Sequence, residues 1–443
     1  MSKKYDLLVH KNYDILYYIL IFIPFISFIF GFYYDEYSAG TGNGGGGDSQ
    51  WIKENIKIFI ENDLSTAILH PDLFGNRPPL IYVLNKLINP FFYDFEKYRI
   101  CVFVLSIFGP IFLYQFLKLK FYNVDRKILL LISSIVYLSP YYRTSAYWGL
   151  NENYGIITMI LSFLFLLRYL KFKKKKNINT LGIILFSTLT IYFDQKFLIV
   201  PLVCYLNMII SKNHLNFKIF ITLTYIILAI PYLYLFYKWG GIVPIATQLS
   251  NPKTVTSVYD LDKIYFIHIG YASTLLAFYL LPIILFTGKL NFIVDNLKNL
   301  FLRKSNFLFF VLILFFFIYL IYFDFEKFTV QDHWVGLGIV HKLAQLLFEQ
   351  IIFQEITTYF FFLLSFVVLL YFINSNRLDG LYIGYFLIIS LFLWPLMQEY
   401  FDPIILIISF TLFNSVKYFT KLNSIFLFLY TATFFIIANI YYA

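Results

Sequence analysis

The chain has 443 residues, of which 60% are hydrophobic and only 14% are charged. A soluble protein carries about twice that charged fraction, so the composition excludes a soluble globular domain and predicts a polytopic membrane protein. The meaning of the net charge of +10 depends on where the charges lie, and we expect membrane lipid, not nucleic acid, as a partner. The two cysteines, Cys101 and Cys204, lie in apolar segments and predict neither a disulfide framework nor a Cys-based metal site.

Apolar runs of roughly 17–25 residues are long enough to cross a bilayer. We place spans near residues 15–33, 99–117, 128–141, 154–170, 180–195, 197–211, 217–237, 264–287, 307–323, 358–373, 380–396, 401–417 and 425–441. The pieces at 128–141 and 197–211 are short, and a tilt, an extension or a re-entrant segment remains open for each. The sequence therefore predicts one all-α transmembrane domain over residues 1–443, with about 11–13 spans.

The orientation follows from the basic residues in the connections between spans. With the N-terminus inside, the inner connections carry 22 of the 35 Lys and Arg residues, whereas the outer ones carry 20 of the 25 acids. The long outer connections are then 34–98, 238–263 and 324–357, and any chemistry must lie on that side.

The first outer loop begins with Asp35 and Glu36, directly after the first span. Because ionised carboxylates are unfavourable in hydrocarbon, an acidic pair there is a candidate site, although it can also mark the water boundary. The glycine-rich run that follows, residues 40–48, is not a Walker loop. We interpret it as a flexible hinge, and the alternative is a loop whose backbone N–H groups wrap a phosphate.

Apolar residues then recur at helical spacing in the stretch 51–62 and predict an amphipathic helix in the membrane interface. A second such stretch runs from Leu337 to Phe353 in the third outer loop. The first loop returns to the membrane at Arg77-Pro78-Pro79, where the prolines fix the backbone and Pro79 can open a helix.

A sugar transferase on the outer face needs a lipid-phosphate sugar as donor. Its leaving group is a phosphate, so one carboxylate that deprotonates the acceptor hydroxyl suffices, with cations to hold the phosphate. We expect Asp35 or Glu36 to be catalytic. The other candidate residues for binding substrate or phosphate are Arg77, Arg143, Glu152, Lys196, His333 and Tyr400.

Several of these residues have a second interpretation. Arg143 and Lys196 are equally consistent with snorkelling at helix ends, and Glu152 with a helix N-terminal acid. His333 lies in Gln331-Asp332-His333-Trp334, which is either part of the site or an interfacial aromatic anchor. No metal site and no cofactor are predicted, and a divalent metal is possible without being indicated.

With these residues in place, the chain resembles the GT-C superfamily of glycosyltransferases that use polyprenyl-phosphate sugars. The resemblance rests on the acidic pair, on the amphipathic stretch 51–62 and on the Pro-containing return at 76–82. Within the superfamily the chain looks most like the enzymes that add the terminal α-1,2-linked glucose to the lipid-linked oligosaccharide of N-glycosylation. The supporting strings include Tyr34-Asp35-Glu36, Pro79-Leu80-Ile81-Tyr82, Tyr147 to Gly155, Gly240-Gly241-Ile242-Val243, and Tyr400 with Pro403.

Two departures from that family concern charge. Asp194-Gln195 stands where the family has Arg-Gln, and Glu399-Tyr400 stands where it has Arg-Tyr, so the sugar and the acceptor stay open. The resemblance implies an inverting hexosyltransferase acting on a lipid-linked saccharide or a surface glycan. The alternatives are a flippase or transporter, or a polymerase, of lipid-linked saccharides.

The cellular location follows from two further features. The chain has no Asn-X-Ser/Thr sequon, and its composition has an AT-rich codon flavour. Both favour a bacterial inner membrane with a periplasmic site, and the alternative is the endoplasmic reticulum with a lumenal site.

Overall fold

The structure is a computed structural model that describes residues 2–37, 44–75, 77–172, 176–211, 214–250, 264–286, 314, 338–393, 396–416 and 420–442. Of the described residues, 82% are helical and none lies in a strand. Seven of the described helices are long and apolar enough to cross a membrane, which confirms an all-α polytopic membrane protein. These candidate spans are Ile15–Tyr33, Phe95–Lys120, Glu152–Lys171, Leu215–Trp239, His268–Leu285, Ile351–Ser375 and Leu422–Tyr441.

The chain divides into two compact units, of which the first comprises residues 1–251 and 428–443. Its helices are α1 (Ser2–Tyr33), α2 (Gly44–Glu61), α3 (Leu64–Ile68), α4 (Leu80–Ile88), α5 (Phe95–Lys120), α6 (Arg126–Ser134), α7 (Pro140–Trp148), α8 (Glu152–Lys171), α9 (Lys176–Phe193), α10 (Ile199–Ser211), α11 (Leu215–Trp239) and α12 (Ile245–Ser250). Short 3₁₀ helices at Ile135–Leu138 and Gln195–Phe197 precede α7 and α10.

The second unit comprises residues 252–427. Its described helices are α13 (His268–Phe286), α14 (Gly338–Leu347), α15 (Ile351–Ser375), α16 (Arg377–Ser390) and α17 (Ile404–Thr411), with a 3₁₀ turn at Gln398–Tyr400. The final helix, α18 (Lys421–Tyr442), crosses the boundary between the units, and its residues from 428 onward belong to the first.

Five further predicted spans coincide with helices that are not among these seven candidates. The segment 128–141 contains α6, a 3₁₀ turn and the start of α7, and the helix restarts at Pro140, which lacks the N–H that a continuous helix needs. The segments near 180–195, 197–211, 380–396 and 401–417 correspond to α9, α10, α16 and α17. The segment 307–323 lies outside the described residues except for Leu314.

The amphipathic helix predicted over 51–62 is present as part of α2, but its apolar face is covered by protein. Ile52, Ile56 and Phe59 are buried, while Trp51 lies on the exposed side. The helix also begins at Gly44, so the interpretation of residues 44–48 as a hinge is wrong; residues 38–43 lie outside the described range.

Asn55 explains why α2 stays against the protein. Its side-chain amide donates to the Tyr82 hydroxyl at 3.0 Å, and its Oδ1 accepts the backbone N–H of Phe74 at 3.1 Å. A buried amide needs hydrogen-bond partners. These two bonds join α2 to α4 and to the segment that precedes α4. Helix α4 begins immediately after Pro79, as the sequence predicts.

The third outer loop differs from its prediction. The amphipathic stretch 337–353 is divided between α14 and the first residues of α15, and α15 begins at Ile351, seven residues before the predicted span. Residues 324–337, with His333, lie outside the described residues.

Candidate functional site

The acidic pair lies just beyond the end of α1, and each of its carboxylates is bound by its own arginine. Asp35 accepts a hydrogen bond from Arg99 Nη2 at 2.6 Å, and Glu36 accepts one from Arg143 Nε at 2.7 Å. We call these four residues the acidic-pair site. The carboxylates differ in access, because the Asp35 side chain is 57% exposed and that of Glu36 only 15%.

Asp35 adopts a backbone conformation that is unusual for a residue other than glycine. Its φ is +49°, in the left-handed region, where Asp is one of the few side chains tolerated. Arg99 reaches it from α5, where the guanidinium also donates to Glu96 at 2.9 Å and to the Tyr147 carbonyl at 2.8 Å. The carboxylate is therefore held through one oxygen by an arginine that is itself fixed.

Arg143 is the largest fully buried side chain of the described residues, so it does not snorkel to a membrane surface. Its guanidinium grips both oxygens of Glu36 and donates to the carbonyls of Ser27 at 2.9 Å and Tyr137 at 3.0 Å. A buried arginine is tolerated only with such compensation. Glu36 and Arg143 thus form a charge-balanced pair inside the protein.

A second cluster of charges surrounds Arg77, at the start of the return to the membrane. Arg77 donates to Glu152 and, through Nε, to Asp194 at 3.1 Å, while Lys196 lies 3.3 Å from the same Asp194. We call these four residues the Arg77 clamp. One planar guanidinium bridges two carboxylates, which is a geometry that lysine does not reproduce.

Asp48 lies near the clamp but is not part of it. Burial raises the pKa of Asp48 to about 6, the positive charge of Arg77 opposes this shift, and the negative charge of Glu152 adds to it. No described residue forms a hydrogen bond or ion pair with its side chain. Asp48 is therefore a half-buried carboxylate with a raised pKa of about 6.

Helix α7 joins the acidic-pair site to the Arg77 clamp. Its Arg143 holds Glu36, its Tyr147 carbonyl receives Arg99, and its Ser145 hydroxyl lies 3.3 Å from Glu152.

The sequence explains why a helix begins and ends at these positions. Ser139 caps the first turn by accepting the N–H of Tyr142 at 3.1 Å, and Pro140 occupies the first helical position. Gly149 ends the helix with a φ of +72°, so the chain turns within one residue toward α8.

The structure brings six of the predicted site residues into these two clusters: Asp35, Glu36, Arg77, Arg143, Glu152 and Lys196. Tyr400 lies in the second unit, at the end of its 3₁₀ turn, and His333 lies outside the described residues. Among the described residues, no group of three or more His, Cys, Asp or Glu side chains could hold a metal ion.

Two residues of the clusters, Arg99 and Asp194, and the neighbouring Asp48 were not predicted as part of the site. Arg99 stands at the start of the second predicted span, so a basic residue facing the acidic pair across the first outer loop was an available signal. Asp194 was noted only as a departure from a family. Asp48 lies at the end of the glycine-rich run, and the available signal is an acid that directly precedes an amphipathic stretch.

Comparison of the chain with protein-family models, curated proteins and solved structures gives no match. The GT-C resemblance therefore stays a prediction from the sequence motifs, and the functional argument rests on the geometry of the two clusters.

Proposed function

We propose that the chain is a membrane glycosyltransferase that moves a hexose, with inversion, from a polyprenyl-phosphate sugar to a lipid-linked saccharide or surface glycan. One observation carries the proposal. Asp35, which is 57% exposed and shares Arg99 with Glu96, and Asp48, whose pKa is raised by burial, follow the first candidate span within fifteen residues. The same unit contains Arg77, Arg99 and Arg143.

The reaction needs only a base and compensation for a phosphate. The acceptor hydroxyl oxygen forms a bond to the anomeric carbon, the bond from that carbon to the phosphate oxygen breaks, and the hydroxyl proton passes to a carboxylate. The lipid phosphate leaves with the electron pair, so no general acid is required.

The two carboxylates suit the role of base in different ways. Asp35 is open to solvent and fixed in direction, but it shares its charge with Arg99. Asp48 has the proton affinity that a general base needs near neutral pH. Glu36 is less suited, because the Arg143 fork occupies both of its oxygens.

Arg77 and Lys196 are the cations that we assign to the donor phosphate. Both already contact Asp194, so an arriving phosphate must compete with that carboxylate for them. Charge-assisted bonds to phosphate are strong enough for such an exchange, because phosphate offers more acceptor oxygens than a carboxylate.

The decisive experiment is a transfer assay. Purified full-length protein in nanodiscs is incubated with labelled polyprenyl-phosphate hexoses and a lipid extract, and the label is followed into the saccharide fraction. Transfer from at least one donor supports the proposal. Absence of transfer from every donor, with protein shown to be folded, contradicts it.

The membrane side is tested separately. We propose that the site faces the periplasm of a bacterial inner membrane or, alternatively, the lumen of the endoplasmic reticulum. Cysteine at Gly45 should react with an impermeant thiol reagent added outside intact bacterial cells, and cysteine at Lys175 should not. The reverse pattern places the site on the inner face.

One observation favours a second candidate, a flippase for lipid-linked saccharides. The segment from α6 to α7 is a discontinuous helix with a buried arginine, and transporters bind substrates at such breaks. The partner of that arginine, Glu36, lies beyond the end of a span and not at its middle, which favours the transferase. Movement of a labelled lipid-linked saccharide across liposomes without donor would identify the flippase.

A further inference from the structure

Arg143 has no room for a substrate. Four hydrogen bonds to Glu36, Ser27 and Tyr137 use the guanidinium, and the Phe435 ring covers it with its centroid 4.4 Å from the guanidinium carbon. The side chain is only 1% exposed. A group so enclosed cannot receive a donor phosphate without losing partners whose removal is costly in a buried position.

The pair lies against a glycine in α1. A Cβ atom built on Gly31 would come within 2.5 Å of Arg143 Nη2, of Glu36 Oε2 and of the Tyr147 hydroxyl. Real Cβ contacts are essentially never this short. Any side chain at this position would therefore displace the Glu36–Arg143 pair.

The fixed Glu36 determines the conformation of its neighbour. The backbone N–H of Glu36 donates to the Gly31 carbonyl at 2.9 Å, and its side chain is held by Arg143. Asp35 stands between this anchor and the end of α1, in the left-handed conformation that directs its carboxylate to Arg99.

The same anchor extends to the start of α2. Tyr37, next to Glu36, packs on Trp148 with ring centroids 4.9 Å apart. A Cβ at Gly46 would lie 3.5 Å from the Tyr37 side chain and 3.8 Å from Trp148, so these rings lie beside the first turn of α2. Asp48 follows two residues later.

We propose that Arg143 is a positioning residue for both carboxylates: it holds Glu36, which fixes Asp35, and through Tyr37 it supports the turn that carries Asp48. This inference rests on the proposed function for its kinetic consequence. It replaces the assignment of Arg143 to the donor phosphate, and it needs no contact between Arg143 and substrate.

The test is Gly31→Ala, which displaces the pair without changing any charge. Its matched control is Gly384→Ala, also within a helix, where an added Cβ meets no atom within 4 Å. In the transfer assay, we expect Gly31→Ala to lower kcat by about 10²-fold, since misplacing a catalytic group by an ångström has that effect. The donor KM should stay within about twofold of wild type, and the control should behave as wild type.

A readout independent of activity separates this proposal from the proposed function. Hydrogen exchange of the peptide covering residues 33–37 should be faster in Gly31→Ala than in wild type and unchanged in the control. If the wild type transfers no sugar, the proposed function fails, while the exchange result still decides whether the Arg143 pair holds this segment. Unchanged exchange, or a raised donor KM with an unchanged kcat, overturns the positioning role.

Phe435→Leu is a second test of the positioning role, for use if Gly31→Ala fails to fold. It removes the ring over the guanidinium and leaves every hydrogen bond of Arg143 in place. We expect faster exchange over 33–37 and a fall in kcat of about threefold to tenfold, smaller than for Gly31→Ala because the pair itself survives. Wild-type exchange in a folded Phe435→Leu protein counts against the proposal.

Discussion

In the acidic-pair site each carboxylate has its own arginine, whereas in the Arg77 clamp one arginine serves two carboxylates and a lysine shares the second. The first arrangement leaves the Asp35 side chain 57% exposed while Arg99 holds one of its oxygens. The second buries Glu152 and Asp194 together, so that each depends on Arg77. The acidic-pair site thus presents a carboxylate to solvent, whereas the Arg77 clamp balances buried charges.

The largest expected effect is the loss of turnover when the general base is removed, and it distinguishes Asp35 from Asp48. Loss of a general base lowers turnover by roughly 10²–10⁴-fold, so the variant of the true base, Asp35→Asn or Asp48→Asn, should fall in that range. Both substitutions keep the side-chain size, and folding is checked by thermal unfolding of each variant. Transfer kinetics then identify the base. If both variants retain near-normal turnover, neither carboxylate accepts the proton.

The next effect concerns the stability of the Arg77 clamp. Arg77→Met leaves Glu152 and Asp194 buried, with Lys196 still paired to Asp194, and breaking a buried pair on one side costs about 3–5 kcal/mol. Chemical unfolding in detergent measures the loss. Arg77→Lys keeps the charge without the fork and should fall between wild type and Arg77→Met.

The same two substitutions test the role of the clamp in binding. With acceptor saturating, Arg77→Lys should lower kcat/KM for the donor markedly, while Lys196→Arg should be mild. If Arg77→Lys behaves as wild type, the donor phosphate lies elsewhere.

A smaller effect follows from the raised pKa of Asp48. The carboxyl group binds its proton more tightly in the folded protein, with a pKa of about 6, than at its ordinary value of 3.8. Between these values the folded state holds more protons, so folding stability falls as pH rises from about 4 to about 6. Asp48→Asn should therefore be more stable than wild type at pH 7 and equal to it near pH 4, as measured by unfolding across pH.

Asp63 supplies a control with the opposite sign. Hydrogen bonds from Ser65 and Thr66 lower the pKa of Asp63 at the start of α3. Its contribution is present above the ordinary pKa and disappears as pH falls through the lowered one. Asp63→Asn should thus be less stable than wild type at neutral pH, with the difference vanishing in acid. The same trend for both variants would contradict the environment described for Asp48.

The sequence predicted the helical class, because hydropathy is a local property, and six of its candidate site residues lie in the two clusters. It did not predict the partners of those residues. Glu36 and Arg143 are separated by 107 positions, and Asp35 and Arg99 by 64, so no spacing rule connects them. The role of α7 becomes visible only when two of its side chains and one of its backbone carbonyls are seen to contact three separate segments.

The failures at α2 have one cause. A run of glycines indicates a flexible linker by composition, and an amphipathic pattern indicates a helix without naming what covers its apolar face. In the structure, Asn55 binds Phe74 and Tyr82, which lie 19 and 27 residues further along the chain, and the apolar face of α2 is buried. The helix extends toward its N-terminus from Gly47 to Gly44, and Asp48 in its first turns lies near the Arg77 clamp. Tertiary contacts here override local propensity.

The smallest effect tests the backbone of Asp35 and isolates it from the charge. Glycine adopts positive φ freely, whereas alanine at a φ of +49° is disfavoured by about 1 kcal/mol. Asp35→Gly and Asp35→Ala both remove the ion pair to Arg99, so that loss cancels between them. At ordinary positions glycine is the less stable of the two, because it raises the entropy of the unfolded chain. We expect that order to be reversed at residue 35, with Asp35→Gly the more stable protein. The same two substitutions at Asp72, whose side chain is 85% exposed and whose φ is not positive, should show the usual order. Equilibrium unfolding of the four variants measures both differences. If Asp35→Ala is as stable as Asp35→Gly, or more so, the acidic pair is not held in the left-handed turn, and the one-to-one pairing with Arg99 has lost its geometric basis.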